Sequence, residues 1–275
     1  MGPQAHGEQQ KLPIPGVQNI IAVGSGKGGV GKSTVAVNLA ISLAKLGYAT
    51  ALLDADVYGP NVPLMMGVRA TPHAIGQRIQ PLEAHGVRLM SMGFLNPGDK
   101  PLVWRGPMLN SVMQQFLRNV DWGELDYLII DLPPGTGDVQ LTLIQTTPLT
   151  GAVVVTTPSD VSLEDARKAV HMFAQVREEV LGIVENMSYL EHNGERVYVF
   201  GKGGGARTAE QMNVPLLAEI PLDPATREGG DTGKPIAALE EPNAQAALFE
   251  KLAFSVVERA KESKQKHRPT MTVAD

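Results

Sequence analysis

The sequence contains no cysteine. That excludes a disulfide, a cysteine nucleophile and a thiolate metal site within the chain, and it removes the usual sequence marker of redox compartment. Long hydrophobic runs are missing too. No uninterrupted apolar stretch approaches the about 20 residues needed to cross a bilayer. Residues 1–16, MGPQAHGEQQKLPIPG, carry Pro3, Pro13 and Pro15 but no apolar core of a signal peptide. A soluble cytoplasmic protein is therefore expected. Strong charge of one sign is also lacking: the net charge is −5 over 275 residues. That balance gives no whole-chain field for nucleic acid or an anionic bilayer, and neither partner is expected. There is no break in composition and no internal repeat. The expected organisation is a flexible leader over 1–16, a single domain over 17–264 and a polar tail over 265–275.

What the sequence does have is a series of short apolar runs: NIIAV (19–23), ATALLDAD (49–56), VRLMSM (87–92), DYLIID (126–131), GAVVVTT (151–157), VLGIVENM (180–187) and PLLAEI (215–220). They are continuous rather than alternating, so both faces of each strand should be buried. Helical patterns separate most of them, at about 32–46, 108–119, 162–179 and 205–212. A further helix is read over 243–264, where Leu248, Leu252 and Val256 recur every four positions. Strand alternating with helix predicts an α/β fold: an open, mostly parallel sheet with helices on both faces.

The first turn carries the chemistry. Gly26-Lys27-Gly28-Gly29-Val30-Gly31-Lys32-Ser33 fits the pattern G-x-x-x-x-G-K-[ST]. A strand precedes it and a helix opened by Lys32, Ser33 and Thr34 follows. Such a loop curls so that successive N–H groups point at phosphate oxygens, and the helix dipole favours the same charge. Lys32 is expected to reach the β- and γ-phosphates of ATP, and the Ser33 hydroxyl to ligate Mg2+.

Acids follow at the right places. Asp54 and Asp56 close the second strand run, and ligands of an open parallel sheet sit outside the carboxyl ends of its strands. Asp131 ends DYLIID in the position where an acid holds the magnesium shell. A single aspartate at a strand end more often makes a turn or a cap, and that reading is kept for Asp138.

The string KGGVGKST at 27–34 resembles the deviant Walker A motif of the group that includes MinD, ParA and the Mrp-type carriers. The strings DADVYGPNVPLMMG (54–67), DLPPGTGD (131–138), ENMSY (185–189), FGKGGG (200–205) and IPLDP (220–224) resemble the Mrp family of iron–sulfur cluster carrier ATPases, from about Asn19 to about Pro235. The resemblance implies an Mg2+-dependent ATPase acting in iron–sulfur cluster assembly or transfer, with scaffold or client proteins as partners. It implies an ATP-sandwich homodimer in which Lys27 crosses to the partner's nucleotide. It also implies that Asp56 orients the attacking water, that Asp54 lies near the magnesium and that the Gly135 N–H senses the γ-phosphate. Asn186 and the Pro221–Asp223 stretch would hold the adenine ring. The sequence departs from the family at one point. A C-x-x-C pair that would hold the cluster follows the N-M-S-Y string in the family, and here that segment reads Leu190-Glu191-His192-Asn193-Gly194. Two other readings stay open at this point: a nucleotide-switched positioning protein on a membrane or DNA surface, and a regulatory ATPase without cluster chemistry.

Overall fold

Each apolar run of the sequence forms a strand, and the strands build one sheet. The computed structural model describes residues 11–95, 106–241 and 243–266. The chain enters at β1 (Val17–Gly24), passes through helix α1 (Lys32–Lys45) and returns as β2 (Thr50–Asp54). A short helix α2 (Val62–Met65), a small hairpin of β3 (Ala74–Ile75) and β4 (Arg78–Ile79), and then β5 (Leu82–Ala84) and β6 (Val87–Ser91) follow. Helix α3 (Gly106–Asn119) leads into β7 (Leu125–Asp131), α4 (Asp138–Thr146) into β8 (Gly151–Thr156), and α5 (Asp160–Gln175) into β9 (Val180–Asn186). A second hairpin, β10 (Leu190–His192) and β11 (Glu195–Val197), precedes α6 (Gly204–Gln211), β12 (Leu216–Ile220), α7 (Pro224–Thr232) and the long α8 (Ala244–Lys266).

The main sheet has the order β12-β9-β8-β1-β7-β2-β6-β5. Every neighbouring pair is parallel except β5 with β6. Successive residues of one strand face opposite layers. Ile20 and Ala22 pack with Phe116 of α3, Ile144 of α4 and Phe173 of α5. Ile21 and Val23 pack with Leu39 and Leu43 of α1 and with Phe249, Leu252 and Val256 of α8. Two-sided burial is why these strands read as continuous apolar runs, and each buried Val, Ile or Leu contributes about 1.5–3 kcal/mol. The short hairpins and α2 escaped the sequence reading, because elements of two to four residues leave no periodicity, and the nine-residue α4 and α7 were not read either.

Of residues 11–16, expected as part of a flexible leader, Leu12, Pro13 and Pro15 are exposed and Ile14 is not. Ile14 is buried in the core. Lys11 donates to the Ile144 carbonyl at the end of α4 at 2.8 Å and pairs with Glu178. Arg118 donates to the Leu12 carbonyl at 2.7 Å. Residues 1–10 lie outside the described residues. At the other end α8 runs to Lys266, two residues into the expected tail, and residues 267–275 lie outside the described residues.

Candidate functional site

The carboxyl ends of β1, β2 and β7 lie side by side, with Asp54 in register with Asp131 and Val23 also in register with Asp131. The glycine-rich loop therefore rises from the centre of the sheet, and the acids of the neighbouring strands stand beside it.

Gly31 is the N-cap of α1, in a left-handed conformation with φ 81°. No side chain caps that helix, so its first N–H groups face the loop. Asn186, buried at the end of β9, donates from Nδ2 to the Val30 carbonyl at 2.9 Å and so pins the loop. A Cβ at Gly31 would lie 2.1 Å from that Nδ2, and one at Gly26 would lie 2.0 Å from the Asp165 carbonyl oxygen of α5. Gly31→Ala is expected to cost about 1–2 kcal/mol for the left-handed backbone and about 1 kcal/mol for the displaced Asn186 bond. An unchanged midpoint in urea unfolding would contradict this account of the loop.

Lys32 is buried against the acids. Its Nζ lies 2.6 Å from Asp131 Oδ1, 3.2 Å from Ser33 Oγ and 3.9 Å from Asp56 Oδ2. The Ser33 hydroxyl donates to Asp131 Oδ2 at 2.6 Å. Asp131 thus binds both phosphate-loop side chains at once. Burial pushes its carboxyl above the usual carboxylate range, while the Lys32 ammonium opposes that shift.

Asp54 is anchored rather than open. It accepts from Ser91 Oγ at 2.8 Å, from the Val62 N–H at 3.3 Å and from the Asp56 N–H at 3.1 Å. Burial first, and the charge of Asp131 second, push its carboxyl up to about 8. Asp56 holds a turn with Oδ1, accepting from the N–H groups of Tyr58 at 3.0 Å and Gly59 at 3.3 Å, and leaves Oδ2 towards Lys32.

Two carboxylates, Asp131 and Asp56, and the Ser33 hydroxyl lie within 3.9 Å of a single ammonium, and the Asp54 carboxyl stands beside Asp131 in the sheet register. All are hard oxygen donors of the kind a divalent cation takes. The residues fit Mg2+: Ser33 would ligate it, with Asp131 and Asp54 behind its water shell, and it would neutralise phosphate charge.

The remaining expected residues fall at the same edge with varied local roles. Gly28 and Gly29 are exposed on the loop, Val30 is buried, and the Thr34 carbonyl accepts from Asn38 Nδ2 at 2.8 Å. Lys27 is half-buried, and its ammonium forms no ion pair or hydrogen bond among the described residues. The Gly135 N–H donates to the Ser25 carbonyl at 3.0 Å. Pro221 follows Ile220, the register partner of Asn186, and its carbonyl accepts from Gln245 Nε2 at 3.1 Å. Asp223 caps α7, accepting from the Ala225 N–H at 3.0 Å and Thr226 Oγ1 at 3.1 Å. Asp138 is exposed in the first turn of α4. Sequence reasoning missed Ser91 and Asn38. Ser91 closes the run VRLMSM, but its tie to Asp54 follows only from the pairing of β2 with β6. Asn38 locks α1 to the segment near Ala237, whose N–H it accepts at 2.9 Å.

A family model described as a ParA-family "NUBPL iron-transfer P-loop NTPase" matches residues 16–257. The chain belongs to this family. The iron–sulfur cluster carrier protein of Synechocystis is 51% identical over 90% of this chain and 74% of its own length. That of Deinococcus radiodurans is 56% identical over 85% and 67%. The mouse iron–sulfur cluster transfer protein NUBPL is 44% identical over 94% and 83%. Among solved structures, an Archaeoglobus fulgidus nucleotide-binding protein in complex with ADP has a TM-score of 0.72 at 38% identity, covering 83% of this chain and 91% of that one. Pyrococcus horikoshii MinD with Mg-ADP has a TM-score of 0.67 at 25% identity, covering 89% and 98%.

This NUBPL-type P-loop NTPase differs from the Mrp pattern after Tyr189. The segment forms the β10–β11 hairpin, closed by Asn193 and Gly194 at φ 51° and 80°, the pattern of a tight two-residue turn. His192 is exposed, and its ring forms a hydrogen bond with Asn193 at 3.3 Å. Among the described residues no three His, Asp or Glu side chains converge as a metal site. The chain offers no thiolate, so its residues do not fit a thiolate-held iron–sulfur cluster. Among the described residues no helix is long and apolar enough to cross a membrane.

Proposed function

We propose that this protein is a cytoplasmic, Mg2+-dependent ATPase that acts in iron–sulfur cluster assembly or transfer, with the cluster's thiolate ligands supplied by another protein. The observation that carries the nucleotide chemistry is the set of buried Lys32, partly buried Ser33 and buried Asp131 at the mouth of an N–H-lined loop. The relatives' names carry the cluster role to this chain.

The geometry supports the following division of labour. Loop N–H groups and Lys32 hold the phosphates. Asp56, with one oxygen free of the turn it stabilises, faces the position of the terminal phosphate and orients a water for in-line attack. Asn186 and the stretch from Pro221 to Asp223 bound the adenine end of the same edge. Positioning and charge neutralisation supply the catalysis, with no covalent intermediate.

The test is phosphate release from ATP with and without Mg2+, followed by anaerobic reconstitution with iron and sulfide and a count of both after desalting. The expected result is magnesium-dependent release with neither iron nor sulfide retained. Stoichiometric retention would overturn the partner-supplied ligands, and absence of release would overturn the ATPase.

Lys27 supports a homodimer. Its ammonium lies beside the phosphate loop with no partner in its own chain among the described residues, while the other loop lysine is fully engaged. Reaching a second copy's nucleotide would give it one charge-assisted contact. Lys27→Ala is expected to abolish the ATP-dependent rise in mass by light scattering and to slow hydrolysis about 10- to 100-fold, the worth of such a bond. Unchanged mass and rate would exclude the role.

A further inference from the structure

Ser91 is a buried hydroxyl beside the loop that carries Asp56. It ends β6 in register with Asp54, the last residue of β2, and it stands between the buried Met90 and Met92 with no exposure of its own. A hydroxyl in such a place is costly unless its hydrogen-bonding capacity is used. Here it is used in both directions. Ser91 Oγ accepts from the Gly93 N–H at 2.9 Å and donates to Asp54 Oδ2 at 2.8 Å.

Asp54 is the clasp of the loop. Between β2 and α2 the chain runs from Ala55 to Asn61. The Ala55 N–H still donates to the sheet, to the Asp131 carbonyl at 2.9 Å. Beyond it, among the described residues, the hydrogen bonds that tie residues 56–62 to the sheet end on Asp54. The Asp56 N–H donates to Oδ1 at 3.1 Å and the Val62 N–H to Oδ2 at 3.3 Å. One carboxylate thus closes both ends of the loop, and rotation about its Cβ–Cγ bond breaks both ties together. Asp56 itself holds only the turn at Tyr58 and Gly59. Among the described residues Ser91 is the only side chain that donates to Asp54, and its bond is the shortest of the three. The turn after Ser91 backs the same loop: a Cβ on Gly93 would lie 3.3 Å from both the Pro60 ring and the Pro60 carbonyl oxygen.

We propose that Ser91 is a positioning residue for hydrolysis: by orienting the Asp54 carboxylate it holds the loop that presents Asp56 to the attacking water. This rests on the ATPase reading and on Asp56 as the residue that orients that water. The effect belongs to turnover rather than to nucleotide binding, because among the described residues neither Ser91 nor Asp54 makes a hydrogen bond to the phosphate loop or to Asn186.

The test compares the wild type with Ser91→Ala, Ser91→Thr and Ser91→Cys. Three quantities are measured: amide hydrogen exchange without nucleotide, affinity for ADP, and kcat at saturating ATP over a range of Mg2+. In Ser91→Ala the Asp56 and Val62 amides are expected to exchange about tenfold faster, as for one lost hydrogen bond to a carboxylate, with the phosphate-loop amides unchanged. Its kcat is expected to fall about tenfold, with ADP affinity within about twofold of the wild type. Ser91→Thr keeps the hydroxyl and restores both exchange and kcat. Ser91→Cys adds no methyl group and donates only weakly, so it falls between serine and alanine in both. Unchanged exchange at the two amides overturns the proposal, as does faster exchange with undiminished kcat. A loss of kcat that added Mg2+ reverses also overturns it, because the hydroxyl would then act on the metal. A wild type that releases no phosphate fails the ATPase reading, and the exchange measurement still decides whether Ser91 holds the loop, which keeps the two failures apart.

Discussion

Lys32→Ala is expected to lower kcat/KM for ATP by about 10²–10³, the usual loss when one preorganised charge is removed from a transition state. The structure adds a second consequence that phosphate binding alone does not contain. Without nucleotide, Lys32 is the cation closest to Asp131, a carboxylate with no exposure, at 2.6 Å. Removing one partner of a buried pair leaves the other charge uncompensated, at a cost of about 3–5 kcal/mol. Asp131 reduces that cost by taking up a proton, which its raised pKa favours. The single variant should therefore melt below the wild type even without ATP. The double variant Lys32→Ala/Asp131→Asn should recover much of the lost Tm and none of the activity, because it removes the orphaned charge and also the group behind the magnesium. Melting curves of the two variants decide the point: a double variant no more stable than the single one would show that the pair contributes nothing to the resting fold.

The same pair explains why this site was so legible. A P-loop needs its glycines, lysine and serine adjacent in sequence, so a local string announces it. Asp54 and Asp131 were readable because an acid closing an apolar strand run must emerge at the carboxyl edge of a parallel sheet. The strands themselves were readable because burial on both faces leaves uninterrupted apolar runs, and β2, β8 and β9 are buried along their whole length.

What stayed hidden depends on contacts between distant segments. The tie of Ser91 to Asp54 requires knowing that β6 lies beside β2. The tie of Asn186 to Val30 spans most of the chain. Pro13 and Pro15 made residues 11–16 look like a leader, yet Ile14 finds the core and Lys11 finds the end of α4, partners that no local pattern encodes. Gln140 sits in a helix where a polar residue reads as solvent-facing, and only its burial against Gly24 and Phe173 shows otherwise. The β10–β11 hairpin is a mixed case. Asn193-Gly194 is a strong turn signal, but the two flanking three-residue strands are too short to show alternation.

Asp56→Ala is expected to keep nucleotide binding while reducing kcat by about 10²–10⁴, the range for a positioned general base or water-orienting group. The geometry separates this acid from the other two. Asp54 has its oxygens committed to Ser91, Val62 and Asp56 N–H groups or hydroxyls, and Asp131 has both oxygens on Lys32 and Ser33. Among the described residues, Asp56 alone of the three keeps one oxygen outside hydrogen-bond distance of any donor, at 3.9 Å from Lys32. It also sits on the loop after β2 rather than within a strand, where a ligand's approach can redirect it. Its other oxygen stabilises the turn at Tyr58 and Gly59, so alanine removes that turn as well as the base. Asp56→Asn separates the two effects. The asparagine Oδ1 can still accept from both N–H groups, but the amide cannot take a proton from water. If Asp56 acts on the water, both variants lose turnover and both retain affinity for ATP within a few-fold. If its contribution is the turn, Asp56→Asn restores turnover towards the wild type, and the water-orienting role passes to another group.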